Sequence, residues 1–274
     1  MKFQLAMIQM RVTQDKEENL KKAEKFVEEA SLQGAQMAVL PEMFCCPYQT
    51  DQFPVFAEPE GGTVWKSLSG IASKCRIYLV AGSVPERDEE GKIFNTSYVF
   101  SPDGKQIAKH RKMHLFDVNV KGGQRFFESE TLTAGNFIST FDTEYCKIGI
   151  CICYDMRFPE IARLMALRGA EVLIVPAAFN MTTGPAHWEL LFRCRAMENS
   201  VYTVGVAPAR DMSASYHSYA NSIVADPFGT VISRLGTEEE MKIVTIDPER
   251  VKEVREGLPM LFQRRTDIYS LTER

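Results

Sequence analysis

The 274-residue chain is 45% hydrophobic and 25% charged, a balance that is typical of a globular protein. Its formal net charge of −4 lacks the excess of lysine and arginine that marks proteins binding nucleic acid or anionic membranes. No apolar run approaches the ~20 residues that span a bilayer, and the N-terminal segment has no signal-peptide core. We therefore predict a soluble protein whose partners include neither nucleic acid nor a membrane.

The seven cysteines indicate a reducing compartment. Their number is odd and several lie in apolar stretches, so we predict free thiols and a cytoplasmic location rather than a disulfide framework. Cys45 and Cys46 are adjacent, and Cys151 and Cys153 are two residues apart, but neither pair has a second pair at the spacing of a zinc site. The sequence therefore predicts no metal and no other cofactor.

Hydrophobic periodicity predicts alternating strands and helices in the first part of the chain. Residues 3–9 alternate as a strand, and residues 15–32 form an amphipathic helix that ends near Gly34. Residues 37–40 form a short buried strand that ends before Pro41. The elements predicted next are a helix at 63–74, strands at 77–82 and 95–100, a hairpin turn at 102–105, and a strand at 106–110.

Residues 111–135 are rich in charge and have no clear period, which predicts a long loop with short helical pieces. A loop of this length inside a compact domain is usually functional. After it the chain contains a strand from Lys147 that runs into a helix near Pro159, a strand at 171–175, a helix at 185–199, strands at 201–206, 222–225, 230–233 and 242–246, and a helix at 248–256. The polar tail from about residue 257 is expected to pack on the body or on a partner subunit, docked by Phe262 and Tyr269.

This order of elements predicts an α/β protein with helices outside two sheets. Hairpin signals at 102–105 and 226–229 mix antiparallel strands with parallel ones, so a purely doubly wound sheet is not expected. No linker, repeat or low-complexity segment interrupts the chain. We therefore predict a single domain over residues 1–274.

Cys153 stands where a strand runs directly into a helix. Ile148, Ile150 and Ile152 alternate with small residues, and the apolar residues after Pro159 recur at helical spacing. Such a turn lifts one side chain out at the end of a sheet, beside the free N–H groups of a helix N-terminus. We expect this position to stabilise a thiolate and lower the pKa of the thiol. The alternative is a cysteine that serves only as a small residue of the core.

Two more chemically active residues follow predicted strands, Glu42 after residues 37–40 and Lys112 after residues 106–110. Sites in α/β sheets gather at the carboxyl ends of strands, so we expect a carboxylate, an ammonium and a thiol to meet. Cys153 is then the nucleophile, and Glu42, its pKa raised by burial, is the general base and acid. Lys112 and the backbone N–H of Tyr154 stabilise the oxyanion. The alternatives are a solvated loop acid for Glu42 and an exposed basic face for Lys112.

Three segments resemble the signature segments of the nitrilase, or carbon–nitrogen hydrolase, superfamily: VLPEMF around Glu42, KHRKMHLF around Lys112 and ICICYDMRFPE around Cys153. The resemblance covers nearly the whole chain. It implies a four-layer α-β-β-α sandwich, a Glu–Lys–Cys triad and a homodimer or higher homo-oligomer. It also implies a second acid beside Lys112, which Glu128 in FFESETLTAG matches. Glu130 is the rival for this role, and an exposed loop acid is the alternative for Glu128.

Further stretches resemble the omega-amidase branch of this superfamily: HLFDVNV, AFNMTTGPAHWELLFRCRAMEN, VAPARD and FQRRTDIY. This implies hydrolysis of the terminal amide of 2-oxoglutaramate and 2-oxosuccinamate, with release of ammonia. The distal carboxylate of such substrates needs a cation, for which Arg157 is the candidate. Thr183 is a candidate donor to that carboxylate, and Tyr48 a candidate wall of the pocket. The alternatives are an ion pair of Arg157 with Asp155 or Glu160, a helix cap at Thr183 and a core position for Tyr48.

Two stretches depart from the pattern of this branch. Ala220-Asn221-Ser222 stands where Gly-His-Ser is usual, and Cys45 and Cys46 stand where polar residues are more usual. We expect both changes to affect the shape of the pocket and the substrate preference, but not the triad.

Two other functions are open at this point. In the first, the same fold and triad act on N-carbamoyl compounds or other small amides. In the second, the protein is not a catalyst and uses Cys153 as a peroxide-sensitive thiol. That second function should survive Glu42→Gln and Lys112→Ala, because neither residue is needed to hold a thiol.

Overall fold

The centre of the protein is a buried layer between two β-sheets that pack face to face. The computed structural model describes residues 1–122 and 125–273. Apolar side chains from both sheets meet in this layer, among them Leu5 from one sheet and Ile150 and Val204 from the other. Because successive side chains of a strand point to opposite faces, each sheet keeps its second face for a layer of helices.

The described residues form the following strands and helices. The strands are β1 (Phe3–Gln9), β2 (Met37–Val39), β3 (Tyr78–Val80), β4 (Val84–Arg87), β5 (Ile93–Phe100), β6 (Gln106–Arg111), β7 (Asp117–Asn119), β8 (Arg125–Phe127), β9 (Ser139–Asp142), β10 (Lys147–Ile150), β11 (Val172–Pro176), β12 (Tyr202–Val206), β13 (Ile223–Ala225), β14 (Val231–Arg234) and β15 (Glu240–Ile246). The α-helices are α1 (Lys16–Leu32), α2 (Phe53–Phe56), α3 (Thr63–Cys75), α4 (Pro159–Leu167), α5 (Gly184–Asn199) and α6 (Pro248–Gly257). Short 3-10 helices cover Glu128–Glu130 and Cys153–Arg157.

Both large sheets have a parallel centre and antiparallel margins. The first has the strand order β15-β1-β2-β3-β5-β4, with β6 also paired to β5. The second has the order β14-β13-β12-β11-β10-β9. Strands β1, β2 and β3 are parallel in the first sheet, and β10, β11 and β12 are parallel in the second. Residues that follow these parallel strands therefore gather at the carboxyl edge of each sheet, where sites form in α/β proteins.

Helices cover the outer face of each sheet. Helices α1 and α3 pack Val27 and Leu68 against the first sheet, and α4 and α5 pack Met165 and Phe192 against the second. The molecule is thus a single-domain α/β protein, a four-layer α-β-β-α sandwich, as the sequence predicts. In residues 1–122 and 125–273, no helix is both long and apolar enough to cross a membrane.

Local chemistry sets where several helices begin. The carboxylate of Asp15 accepts the backbone N–H groups of Glu17 and Glu18 at 2.9 and 3.1 Å and so caps α1. Proline occupies the first position of α4 and of α6, where a backbone N–H has no helical acceptor to lose. The start predicted at Pro159 is therefore confirmed.

Some elements differ from the prediction. Strands β4 and β9 and the short helix α2 are absent from it, because Pro85, Glu86 and Arg87 interrupt the apolar alternation in β4 and β9 has the mixed sequence STFD. The long loop predicted at 111–135 instead contains the ribbon of β7 and β8, although its helical turn is present as Glu128–Glu130. Residues 123 and 124 of this segment lie outside the described residues.

The C-terminal tail contacts the body of this subunit in part. Leu261 is buried with the residues of α4 and α5, and the carboxylate of Glu273 pairs with Arg168. Phe262 and Tyr269 are exposed on this subunit, so docking of the tail by these two residues on a partner subunit stays a prediction. Arg274 lies outside the described residues.

The contact between β12 and α5 can be tested by one added methyl group. A Cβ atom on Gly205 would lie 2.3 Å from the ring of Phe192, so Gly205→Ala should lower the free energy of unfolding by about 1–3 kcal/mol through overpacking. Urea denaturation measures this. The matched control is Gly70→Ala in α3, where a Cβ meets nothing within 4 Å, and which should stabilise by about 0.5–1 kcal/mol. Equal stability of Gly205→Ala and the wild-type protein would contradict tight packing here.

Candidate active site

Glu42, Lys112 and Cys153 lie together at the ends of three strands. Glu42 follows β2, Lys112 directly follows β6 and Cys153 follows β10. Nζ of Lys112 donates to Oε1 of Glu42 at 2.9 Å, and the thiol of Cys153 and the carboxyl group of Glu42 are close enough for each to influence the pKa of the other. All three side chains are buried. The interpretations of Glu42 as a solvated acid and of Lys112 as part of an exposed face are therefore wrong.

A second carboxylate approaches Lys112 from the other side. Nζ of Lys112 donates to Oε1 of Glu128 at 2.9 Å. Glu128 is fully buried and accepts the backbone N–H of Phe116 at 2.7 Å and the hydroxyl of Tyr48 at 2.6 Å. Glu130, its rival in the sequence, is exposed. The structure thus brings Glu128, and not Glu130, to Lys112.

The pKa values of Lys112 and Glu42 depend on each other's charge and on burial. Burial lowers the pKa of Lys112, but the charges of Glu128 and Glu42 outweigh it and hold that pKa above its ordinary value. Lys112 is therefore an ammonium and cannot accept a proton. Burial raises the pKa of Glu42, and the charge of Lys112 opposes only part of the rise. A carboxylate with a raised pKa suits a group that gains and loses a proton during a reaction.

The thiol of Cys153 differs from the expectation. Burial raises its pKa well above the ordinary value and the charge of Glu42 adds to the rise, while Lys112 and the backbone of Ala178 act in the opposite sense. The predicted lowering of the pKa by a helix N-terminus is wrong, because the side chain is only 4% exposed and loss of water dominates. Both burial and the charge of Glu42 therefore favour the protonated thiol over the thiolate. A nucleophilic role for this thiol requires a base, for which the carboxyl group of Glu42 is the candidate.

The backbone at Cys153 lifts the thiol out of the sheet. Its φ angle of +47° lies in the left-handed region that residues other than glycine rarely adopt, and the 3-10 helix Cys153–Arg157 begins there. The N–H of Tyr154 belongs to the first turn of this helix, where N–H groups have no acceptor within the helix. This N–H and the ammonium of Lys112 are the candidate donors to an oxyanion formed beside the thiol.

Asp155 connects the turn at Cys153 with the segment after Lys112. Its carboxylate accepts the backbone N–H groups of Ile152 at 3.1 Å and of His114 at 2.8 Å. Nε2 of His110 lies 3.1 Å from it, and Nδ1 of His114 lies 2.9 Å from it. Burial alone raises the pKa of Asp155, but the hydrogen bonds of His110 and His114 hold it well below the usual range. This role of Asp155 is not among the predictions from the sequence, although the histidines on both sides of Lys112 are a signal for it.

Arg157 lies beside the thiol without an anionic partner. Within the described residues it pairs with no carboxylate, because Asp155 is engaged by the histidines and Glu160 does not reach it. Its Nη1 instead lies 2.9 Å from Nδ1 of His187, its guanidinium lies over the ring of Phe179, and its Nε is buried without a hydrogen bond. Burial lowers the pKa of Arg157. The alternative of a structural ion pair is therefore wrong.

Arg157 and Thr183 line a small cavity with Cys153. The cavity has a volume of about 10 Å³, roughly that of one water molecule. The hydroxyl of Thr183 donates to Oδ1 of Asn180 at 3.0 Å and does not cap α5. The side chain of Thr183 lines the cavity with its hydroxyl proton directed at Asn180, and the interpretation as a side-chain helix cap is wrong. The other lining residues are aromatic or small: Phe116, Tyr154, Ala178 and Phe179.

A larger cavity of about 280 Å³ opens beside Glu42. Tyr48 lines it, and the ring of Tyr48 packs on that of Tyr216 with centroids 4.5 Å apart. Tyr48 thus serves both as a wall and as a donor to Glu128. The hydroxyl of Tyr216 donates to the carbonyl of Ala178. The sequence analysis misses Tyr216, because the segment around it has no regular period.

The two departures from the branch pattern have different consequences. Cys46 lines the larger cavity, as expected for a residue that shapes the pocket, whereas Cys45 is buried against the helices of the first sheet. Asn221 lines neither cavity, and its side-chain amide donates to the carbonyl of Tyr219 at 2.6 Å. Only the cysteine change therefore bears on the shape of the pocket. Among residues 1–122 and 125–273, no group of three or more histidine, cysteine or acidic side chains could hold a metal ion.

Comparisons with known proteins point the same way. A profile described as carbon-nitrogen hydrolase matches residues 4–256. Omega-amidase NIT2 of Xenopus tropicalis is 50% identical over 273 residues, which cover 100% of this chain and 99% of that protein. Human omega-amidase NIT2 is 48% identical over 269 residues, covering 98% and 97%. The crystal structure of Saccharomyces cerevisiae Nit3, described as a member of branch 10 of the nitrilase superfamily, is 44% identical with a TM-score of 0.89, covering 96% of this chain and 97% of that one.

Replacing Asp155 should separate its role from that of a surface acid. Asp155→Asn should lower the free energy of unfolding by about 3–5 kcal/mol, because an amide cannot accept all the donors that converge on the buried carboxylate. The control is Asp142→Asn, whose exposed carboxylate pairs with Lys147 and should contribute less than about 1 kcal/mol. Urea denaturation of both variants measures the difference. Similar stabilities of the two variants would contradict a connecting role for Asp155.

Proposed function

The chain belongs to the carbon–nitrogen hydrolase family, and on that premise we propose that it is an omega-amidase. The proposed substrates are 2-oxo dicarboxylate monoamides, 2-oxoglutaramate and 2-oxosuccinamate, and the products are ammonia and the 2-oxo dicarboxylate. One observation carries the proposal: a buried thiol with a carboxylate and an ammonium on one side and an arginine without an anionic partner on the other. Full-length relatives named omega-amidase, at about half identity, support it.

The first half of the reaction forms a thioester. Glu42 takes the proton of the Cys153 thiol as the sulfur attacks the amide carbon. The carbonyl oxygen becomes an oxyanion, which Lys112 and the N–H of Tyr154 stabilise. Glu42 then returns the proton to the amide nitrogen, the carbon–nitrogen bond breaks and ammonia leaves. The raised pKa of Glu42 supports this exchange, and Glu128 balances the charge of Lys112 throughout.

The second half hydrolyses the thioester. A water molecule takes the place of ammonia, and Glu42 accepts one of its protons as its oxygen attacks the thioester carbon. The same two donors stabilise the second oxyanion. The carbon–sulfur bond then breaks, Cys153 regains its proton from Glu42, and the carboxylic acid is released as its anion. One carboxylate thus serves as base and acid in both halves.

The residues around the small cavity support a substrate with a second anionic group. The guanidinium of Arg157 has no carboxylate partner within the described residues, and a bidentate pair with a substrate carboxylate satisfies it. Thr183 lines the same cavity, and its hydroxyl is proposed to turn from Oδ1 of Asn180 and donate to that carboxylate when substrate binds. The aromatic rings around it limit the length of the chain between the amide and the carboxylate. Tyr48 forms the wall on the side of Glu42.

The two alternatives are less well supported. An N-carbamoyl compound or a simple amide uses the same triad, but it leaves the role of Arg157 unexplained when the substrate has no carboxylate. A peroxide-sensing thiol needs a low pKa and access to solvent, whereas Cys153 is buried and its pKa is raised. The carboxylate within its reach also has no purpose in a sensor.

The proposed enzyme is cytoplasmic and a homodimer. All seven cysteines are free thiols, which supports a reducing compartment. Helix α5 exposes Leu190 and Met197, and the tail exposes Phe262 and Tyr269, so apolar side chains are available for a second copy. Light scattering of the purified protein tests the dimer: we expect twice the chain mass of 31.0 kDa. A mass equal to that of one chain would contradict it.

The triad is tested by substitution. Cys153→Ala should release no detectable ammonia from 2-oxoglutaramate, because no nucleophile remains. Glu42→Gln should lower kcat by about 10²–10⁴-fold, the range for loss of general acid–base catalysis. The control is Cys75→Ala, a partly exposed cysteine remote from the triad, which should keep wild-type activity. Wild-type release of ammonia by Cys153→Ala would show that the thiol is not the nucleophile.

The anchoring role of Arg157 is tested by comparing two substrates. Arg157→Met keeps an unbranched apolar chain but loses the cation, so kcat/KM for 2-oxoglutaramate should fall by about 10²-fold or more, the value of a charged hydrogen-bonded pair. The value for a neutral amide such as butyramide should change by less than tenfold. Arg163→Met on α4 is the control for loss of an arginine elsewhere. An equal fall for both substrates would contradict the recognition of a carboxylate by Arg157.

A further inference from the structure

The two oxygens of the Glu42 carboxylate have different surroundings. Oε1 accepts from Nζ of Lys112 at 2.9 Å and from Nδ2 of Asn95 at 2.8 Å, and the hydroxyl of Tyr48 lies 3.3 Å from it. Oε2 is buried and has no hydrogen-bond partner among the described residues. The thiol of Cys153 is nevertheless close enough to influence the pKa of this carboxyl group. One oxygen is therefore saturated and the other is left for the sulfur.

Asn95 contributes to this asymmetry from the centre of β5. It is fully buried, and its backbone carbonyl accepts the N–H of Lys112 at 2.8 Å. Asn95 therefore positions both the backbone of Lys112 and the side chain of Glu42. Its own Oδ1 is buried without a partner in the described part of the chain, which is costly for an amide oxygen. An apolar side chain at this position would avoid that cost, so the contribution of the amide is its hydrogen bond to Glu42.

We propose that Asn95 is a positioning residue of the reaction: its amide, with Lys112, saturates Oε1 of Glu42 and leaves Oε2 as the oxygen that exchanges protons with Cys153. This inference rests on the proposed function for the identity of the reaction. In the forward step the thiol proton passes to Oε2 as the carbon–sulfur bond forms, and it then passes from Oε2 to the departing nitrogen. Without the amide, the carboxyl group can rotate and present either oxygen to the thiol.

The hydrogen bond from Asn95 to Glu42 affects the pH at which activity is lost. Burial, Glu128 and Lys112 act on the charge of Glu42, and Cys153 lies beside it. Tyr48 and Tyr216 face the same cluster. An N–H that donates to a carboxylate favours the charged form, so removing the amide of Asn95 raises the pKa of Glu42 further. Activity that depends on the charged base is then lost at a higher pH than in the wild-type protein.

The test compares Asn95→Leu with Ser97→Ala. Leucine keeps the branching and the number of heavy atoms of asparagine, although its two methyl groups are larger, and it removes the donor. Ser97 lies two residues further along β5 on the same face, and its buried hydroxyl has no hydrogen bond among the described residues, so Ser97→Ala is a matched control. Two profiles are measured from pH 5 to 9: ammonia release from 2-oxoglutaramate, and alkylation of Cys153 by iodoacetamide, which needs no substrate.

In Asn95→Leu we expect kcat to fall by about 10- to 100-fold with KM changed by less than twofold. The acid limb of both profiles should move up by about one pH unit, which corresponds to the loss of a hydrogen bond to a charged group. Ser97→Ala should match the wild-type protein in both. A lower kcat with unmoved acid limbs would assign Asn95 a merely structural role and overturn the proposal, as would unchanged rates.

Two further results keep the inference separate from the proposed function. If the wild-type protein releases ammonia from no amide, the proposed function fails, while the alkylation profile still decides the role of Asn95. Asn95→Ala serves as a second variant if the leucine is not accommodated, and thermal unfolding shows whether each variant is folded. Failure of both variants to fold would assign Asn95 to folding and would also overturn the proposal.

Discussion

The structure depends on one buried cation. The ammonium of Lys112 has no exposed surface, and removing such a charge from water costs several kcal/mol unless carboxylates and hydrogen bonds compensate. Glu42 and Glu128 supply that compensation at 2.9 Å each. With two acids around one base, the cluster has an excess of negative charge when all are ionised, and burial together with the charge of Glu128 raises the pKa of Glu42. The chemistry of the site follows from how this lysine is buried.

The sandwich brings distant parts of the chain to that cation. Strands β2 and β6 of the first sheet deliver Glu42 and Lys112, while β10 of the second sheet delivers Cys153. The two sheets must therefore keep a fixed position relative to each other, because otherwise the thiol of Cys153 and its proposed base Glu42 would separate. Asp155 fixes it locally, because one carboxylate binds the turn after β10 and the backbone of the segment after β6. Stability and reactivity are coupled through this single hydrogen-bonded group.

Much of this arrangement is predictable from the sequence, and the remainder has a common physical reason. Strands, helices and the turn at Cys153 follow from neighbouring residues, which is why the layers and the three strand ends are predicted correctly. The pKa of the Cys153 thiol is not predictable in this way, because it depends on burial by residues remote in the chain. The same holds for Asn95, which reaches Glu42 across 53 positions. A polar residue in a strand reveals its importance only when its partner is known.

The left-handed backbone at Cys153 restricts which amino acids can stand there. A side chain branched at Cβ is a severe outlier in that region, whereas an unbranched one is tolerated. Threonine is therefore disfavoured at the proposed nucleophile position by its shape, before its reactivity matters, whereas cysteine and serine, which are not branched at Cβ, fit. The left-handed backbone at Cys153 accepts a primary thiol or a primary alcohol. The geometry of one residue therefore narrows the chemistry that is open to this site.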